Sequence, residues 1–139
     1  MISLIENQIT TQEYLAIREK VGWKKLSNKQ AQMAIDNSLY FIKAVDENGQ
    51  LLGIGRIVGD GAVICYIQDL IVVPEQQGKR TGSLIIEKLI EFVEGIRQDD
   101  TEIMLCLMCA KGREEFYQKH GFIARPTDSL GPGMIRYMK

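Results

Sequence analysis

The sequence predicts a single mixed α/β domain spanning residues 1–139. Three observations lead there. The chain has 139 residues, the size of one ordinary domain and enough to bury a core without disulfide or metal staples. Segments with strand-like alternation interleave with segments of helical spacing along its length. No repeat, low-complexity tract or Pro/Gly-rich linker separates one part from another.

The elements follow in order. "ISLIENQI" is short and partly alternating, a candidate first strand. "TTQEYLAIREKVGW" starts a helix, with Thr10 and Glu13 at capping-box spacing. "SNKQAQMAIDNS" opens a second helix, with Ser27 and Gln30 in the same arrangement. "LYFIKAVD" is a strand, "ENGQ" carries the Asn48-Gly49 hairpin signal, and "LLGIGRIVG" is the partner strand. "DGAV" gives another tight turn, and the long strand "ICYIQDLIVV" follows. Pro74 ends it, having no amide for the ladder. Beyond "EQQGKRTGS", Leu84, Ile85, Leu89, Phe92, Val93 and Ile96 form one broad apolar helix face. "TEIMLCLMC" reads as a buried strand, and "GREEFYQKH" as a short helix closed by Gly121. "FIAR" and "GMIRYMK" read as the last strands, joined by "PTDSLGPG".

Composition excludes several functions. Apolar residues make up 45% and charged residues 25%, ordinary for a globular protein. The formal net charge is −1, so no general positive field recruits nucleic acid. The three cysteines are odd in number and sit in apolar segments, unlike a disulfide framework. Cys106 and Cys109 have CxxC spacing, but positions i and i+3 of a strand face opposite sides, so they read as small core residues. The N-terminus lacks the basic start and long apolar run of a signal peptide. No apolar stretch approaches the ~20 residues that span a bilayer. The expectation is a reduced, cytoplasmic protein with no membrane or nucleic-acid partner and no metal.

The most informative stretch is the basic loop Glu75-Gln76-Gln77-Gly78-Lys79-Arg80-Thr81-Gly82-Ser83, between a strand and a helix. Unpaired amides and the helix dipole make such a junction an anion site, most naturally for phosphate. Gly78 and Gly82 let backbone approach a ligand, and Lys79 and Arg80 add cations. A solvated loop capping a packing helix fits the same residues. Two familiar phosphate loops are excluded. A P-loop would need glycine at Val73 and Ser or Thr at Arg80. The dinucleotide fingerprint fails because "GIGRIV" and "GDGAVI" put Val58 and Ile64 where the third glycine belongs.

The loop resembles the acyl-CoA loop of the GNAT N-acetyltransferase superfamily. That signature is Gln or Arg, two residues, Gly, one residue, then Gly or Ala. Gln77 and Gly82 match it, and Arg80 stands where the family usually has glycine. "DLIVVPEQQGKRTGS" resembles the family's strand, Pro-Glu pair and pyrophosphate loop in order. "EEFYQKHGF" resembles its second signature, a Tyr a few residues before Gly-Phe. The resemblance implies a GNAT-like single domain, with a mixed, mostly antiparallel sheet, splayed central strands and flanking helices. It implies acetyl-CoA as co-substrate. The pantetheine would pair with the main chain of Leu70, Ile71 and Val72 like an added strand. The pyrophosphate would meet Gln77, Gly78, Lys79, Arg80, Thr81, Gly82 and Ser83. Arg80 either folds back onto the phosphates or faces solvent.

The implied reaction is attack of a free amine on the thioester. It needs a deprotonated amine, a polarised carbonyl and a proton for the leaving thiolate. The acid role falls to Tyr117 by resemblance, with Phe116 and Phe122 as packing. Asp69, a carboxylate in an apolar strand, is the candidate for holding or deprotonating the amine; a carboxylate bonded to a neighbouring loop is the alternative. Tyr14 and Trp23 either line an acceptor pocket or belong to the core, and His120 reads as a helix C-terminal residue. The leading expectation is N-acetylation of a small-molecule amine. Acetylation of a protein Lys or N-terminus, or acyl-CoA binding without turnover, are the alternatives. Small enzymes often form symmetric dimers, so a homodimer is an open expectation.

Overall fold

A computed structural model describes residues 1–139. The chain divides into two compact units, Met1–Cys106 and Leu107–Lys139. The first holds β1 (Ser3–Glu6), α1 (Thr11–Lys20), α2 (Asn28–Asp36), β2 (Tyr40–Val45), β3 (Leu51–Gly59), β4 (Ile64–Val72), a 3-10 turn (Pro74–Gln76) and α3 (Thr81–Ile96). The sheet runs in the order β1-β2-β3-β4-β5 and ends with β5 (Met104–Leu107). The first four strands pair antiparallel in sequence order. α3 is the crossover from β4 to β5, which makes the sheet mixed.

Local chemistry fixes the element ends. The Thr10 hydroxyl accepts from the Glu13 amide and the Glu13 carboxylate accepts from the Thr10 amide, completing the expected capping box. At α2 only half of one forms, the Ser27 hydroxyl accepting from the Gln30 amide. Gly49 lies at φ +79° in the β2–β3 turn, where a Cβ would be strained. The Asp60 carboxylate accepts from the amides of Ala62, Val63 and Ile64 and ties the turn into β4.

The sheet buries both faces. On one, Tyr14, Ile17 and Ala31 of α1 and α2 pack with Phe41, Ile54, Ile71 and Val73. On the other, α3 buries Ile85, Ile86, Leu89 and Val93. Two glycines of β3 set its close approach. A Cβ on Gly55 would stand 2.6 Å from Ile85 Cγ2, and one on Gly53 2.8 Å from Ile85 Cδ1.

The second unit differs from expectation. It contains α4 (Glu114–Gln118) as its only helix, and neither "FIAR" nor "GMIRYMK" is a strand. Their alternation is real, but a strand needs a neighbour to complete its ladder. Pro126 offers no amide for one. The Arg125 guanidinium instead donates to the Gly131 carbonyl, and the Thr127 amide donates to the Leu130 carbonyl. Met134, Ile135, Tyr137 and Met138 are exposed. Cys109, expected in a core, is also exposed, because β5 ends before it.

Candidate functional site

The site of the first unit is built on β4 and the loop that follows it. β4 turns its amides and carbonyls alternately to β3 and away from it. The Val73 amide donates to Leu52 O at 2.9 Å, so Ile71, in step with Val73, bonds β3 while Leu70 and Val72 face the other edge. β5 joins near the start of β4, where the Met104 amide donates to Val63 O at 2.9 Å. β5 is four residues long against nine in β4, so its ladder reaches only part of that edge. Of the three residues expected to offer main chain, Leu70 and Val72 turn theirs away from β3, and the Val72 carbonyl is taken by the Gln77 side chain. Ile71 turns its own toward β3, and its side chain is buried in the core. The Gln77 amide side chain donates to Val72 O at 3.0 Å, tying the loop back to the strand.

Midway along β4 the ladder is irregular. Arg56 pairs with Asp69 and Ile57 with Ile67, so Gln68 is the extra residue of a β-bulge. It is the one exposed residue of a largely buried strand. The bulge has no sequence signal, since a Gln in a strand is unremarkable on its own. A bulge leaves main-chain groups free of the ladder and re-aims the strand.

The loop presents a helix start without a side-chain cap. Gly78 sits at φ +81°, a conformation glycine adopts freely. Arg80 is the N-cap residue and makes no capping bond. Leu84 is the first residue whose amide finds an intrahelical acceptor, Arg80 O at 2.9 Å. The amides of Thr81, Gly82 and Ser83 therefore head the helix dipole. The Thr81 side chain is buried and its hydroxyl donates to Gln76 Oε1 at 3.3 Å, so only its main chain faces the loop. The Arg80 guanidinium lies 3.7 Å from the Glu87 carboxylate in an exposed pair along α3. Beside the 3-10 turn, Ile17, Leu51, Val73, Glu75 and Gln76 line part of a cavity of about 350 Å³, which includes no residue of the bulge.

Asp69 is wholly buried and its carboxylate is occupied. Oδ2 accepts from the Tyr14 hydroxyl at 2.5 Å and Arg56 Nε at 2.8 Å, and Oδ1 accepts from Arg18 Nη1 at 3.4 Å. Burial, then the Asp69 charge, pushes the Tyr14 phenol up to about 12. Tyr14 is core, whereas Trp23 is partly exposed and stacks with the Arg18 guanidinium at 5.4 Å. Both carboxylate oxygens thus accept from side chains of α1 or β3, Oδ1 only through the long Arg18 contact. The carboxylate is held by a helix and a strand rather than by a neighbouring loop.

In the second unit, Tyr117 lies on α4 in an aromatic cluster. Its ring meets Phe116 edge-on at 5.1 Å and Phe122 at 5.8 Å, and Phe116 meets His120 at 5.2 Å. Gly121, at φ +92°, turns the chain so that the Phe122 amide reaches Tyr117 O. Burial, with a smaller push from Cys109, lifts the Tyr117 phenol to about 12.

A bulged strand thus runs into an uncapped, glycine-bearing helix start in an α/β domain. The acetyltransferase (GNAT) domain family matches residues 36–124. The chain belongs to the GNAT family. It is 30% identical over 116 residues to the uncharacterized N-acetyltransferase ycf52 of Pyropia yezoensis, covering 81% of this chain and 64% of that protein. It is 30% identical to the histone acetyltransferase TAP1 of Glycine max, covering 84% of this chain and 53% of that protein. The chain thus spans just over half to under two thirds of the length of these relatives. A GNAT-family acetyltransferase of Streptococcus pneumoniae superposes with a TM-score of 0.82 at 25% identity, covering 100% of this chain and 99% of that one. A probable acetyltransferase of meticillin-resistant Staphylococcus aureus gives 0.85 at 28% identity, covering 99% and 100%. No helix is long and apolar enough to cross a membrane.

Proposed function

We propose that the chain is an acetyl-CoA-dependent N-acetyltransferase acting on the primary amine of a small molecule. The observation that carries this is the continuity of β4 with the uncapped start of α3. Pantetheine amides would add to the edge offered by Leu70 and Val72. The pyrophosphate would take the amides around Gly78, Arg80, Thr81, Gly82 and Ser83, with Lys79 supplying positive charge and Gln77 bracing the loop. Residues of this kind fit the co-substrate, and when bound it supplies the activated acetyl group.

The chain's part in the chemistry is then limited. An alkyl amine, pKa near ~10.4, gives a proton to water before its nitrogen attacks the carbonyl carbon. Main-chain groups freed at the Gln68 bulge polarise the carbonyl oxygen. As the C–S bond breaks, the Tyr117 hydroxyl would protonate the sulfur, and the surplus proton of the new amide nitrogen would return through water to the Tyr117 phenolate. Asp69 stays out of the proton transfers. The free thiols of Cys65, Cys106 and Cys109 suit a reducing compartment such as the cytoplasm.

A thiol-release assay with acetyl-CoA tests the reading, run against diamines, amino acids, amino sugars and lysine peptides. Amine-dependent release with a small amine is the expected result. Release with lysine peptides alone would favour the protein-directed reading that the histone acetyltransferase relative supports. Saturable CoA binding with no release above hydrolysis would leave an acyl-CoA-binding module.

A further inference from the structure

We propose that Asp69 is a positioning residue, fixing the α1–α2 connection and the β4 bulge in one arrangement through Arg18, Arg56 and Tyr14. The inference rests on the acetyltransferase reading for its catalytic consequence and on geometry alone for the clamp.

The connectivity is the first argument. One buried carboxylate accepts from three side chains on two elements, α1 and β3. Two of those side chains reach further. Arg18 Nη2 donates to Lys24 O at 2.9 Å, in the connection between α1 and α2. Arg56 Nη1 contacts Ser38 Oγ at 3.3 Å and Ala34 O at 3.4 Å, and Ser38 Oγ donates to Ala34 O at 2.7 Å, at the end of α2. Asp69 also directly follows the bulge residue, Gln68. Its carboxylate is therefore the point where the main chain of the bulge is joined to the helical layer above it.

Energetics supply the second argument. Two guanidinium groups face one carboxylate, which leaves the cluster one positive charge in excess. The Nε of Arg18 is buried without a partner. Leaving a buried donor unmade is unfavourable, and a buried ion cluster often stabilises no better than well-packed apolar side chains of the same volume. Stability alone is a poor reason for this arrangement. What it does provide is a fixed geometry, because an alternative packing would strand a charge.

Amide hydrogen exchange on the whole protein tests the clamp without substrate, and kinetics test its consequence. Asp69→Asn is expected to speed exchange about tenfold or more in residues 21–27 and 67–70, with the α3 amides unchanged. It should lower kcat about tenfold while CoA affinity stays within about threefold. The pH–rate profile should keep its shape, since Tyr14, Arg18 and Arg56, the charged or titratable groups around the carboxylate, do not exchange protons with substrate. Loss of the acid limb would instead make Asp69 the base and overturn the proposal. So would unchanged exchange in 21–27. If Asp69→Asn fails to fold, Arg18→Lys, which keeps the charge but cannot bridge two acceptors in the same way, must loosen 21–27, or the clamp is wrong. A wild type with no turnover would sink the acetyltransferase reading while the exchange result still judged the clamp.

Discussion

Tyr117 holds its proton tightly, and that has a kinetic signature. Its phenol is pushed up to about 12, first by burial. An acid must be protonated to act, so in the role proposed for it Tyr117 stays competent at every pH below about 12. Rates should rise with pH as the acceptor amine deprotonates, then level, with no fall near the ordinary phenol value of about 10. A kcat profile from pH ~7 to ~11 checks this, and a decline centred near 10 would point to a different acid. Tyr117→Phe removes only the hydroxyl. It should lower kcat at least about tenfold, roughly 1.4 kcal/mol in barrier, with melting temperature nearly unchanged; a wild-type rate with chemistry limiting would remove Tyr117 from the mechanism. Asp69 was legible as an anomaly, a carboxylate in an apolar strand. Its partners were not, because Tyr14, Arg18 and Arg56 lie 55, 51 and 13 residues away in sequence, beyond any local spacing rule.

Elements whose signals are local were readable. The Thr10–Glu13 box and the Asn48-Gly49 turn each depend on a few adjacent residues, and each forms. "GMIRYMK" has the strand period but needs a partner that its own residues do not specify. The bulge at Gln68 is a mismatch of two registers and belongs to neither strand alone. At this scale α3 is tested from the sheet side. Gly55→Ala forces a methyl to 2.6 Å from Ile85 and 2.9 Å from Leu89, overpacking worth about 1–3 kcal/mol of stability. A lowered melting temperature is expected, and an unchanged one would mean that α3 lies further from β3. Arg80→Gly removes only an exposed pair with Glu87, the kind that contributes little. CoA affinity should stay within about tenfold, roughly 1.4 kcal/mol. A hundredfold loss, by the same scale about 2.7 kcal/mol, would make Arg80 a principal phosphate ligand.

At the scale of the whole molecule, the class of fold was carried by the order of its elements, and the GNAT family match over residues 36–124 bears it out. The central claim concerns what the junction of β4 and α3 holds. Titration calorimetry of the intact chain with CoA tests it most directly, beside Gly82→Asp, which sets a carboxylate among the amides that would receive the pyrophosphate. Saturable binding by the wild type, weakened at least about tenfold in the variant, is the result predicted. No binding by the wild type, or equal binding by both, would contradict the account.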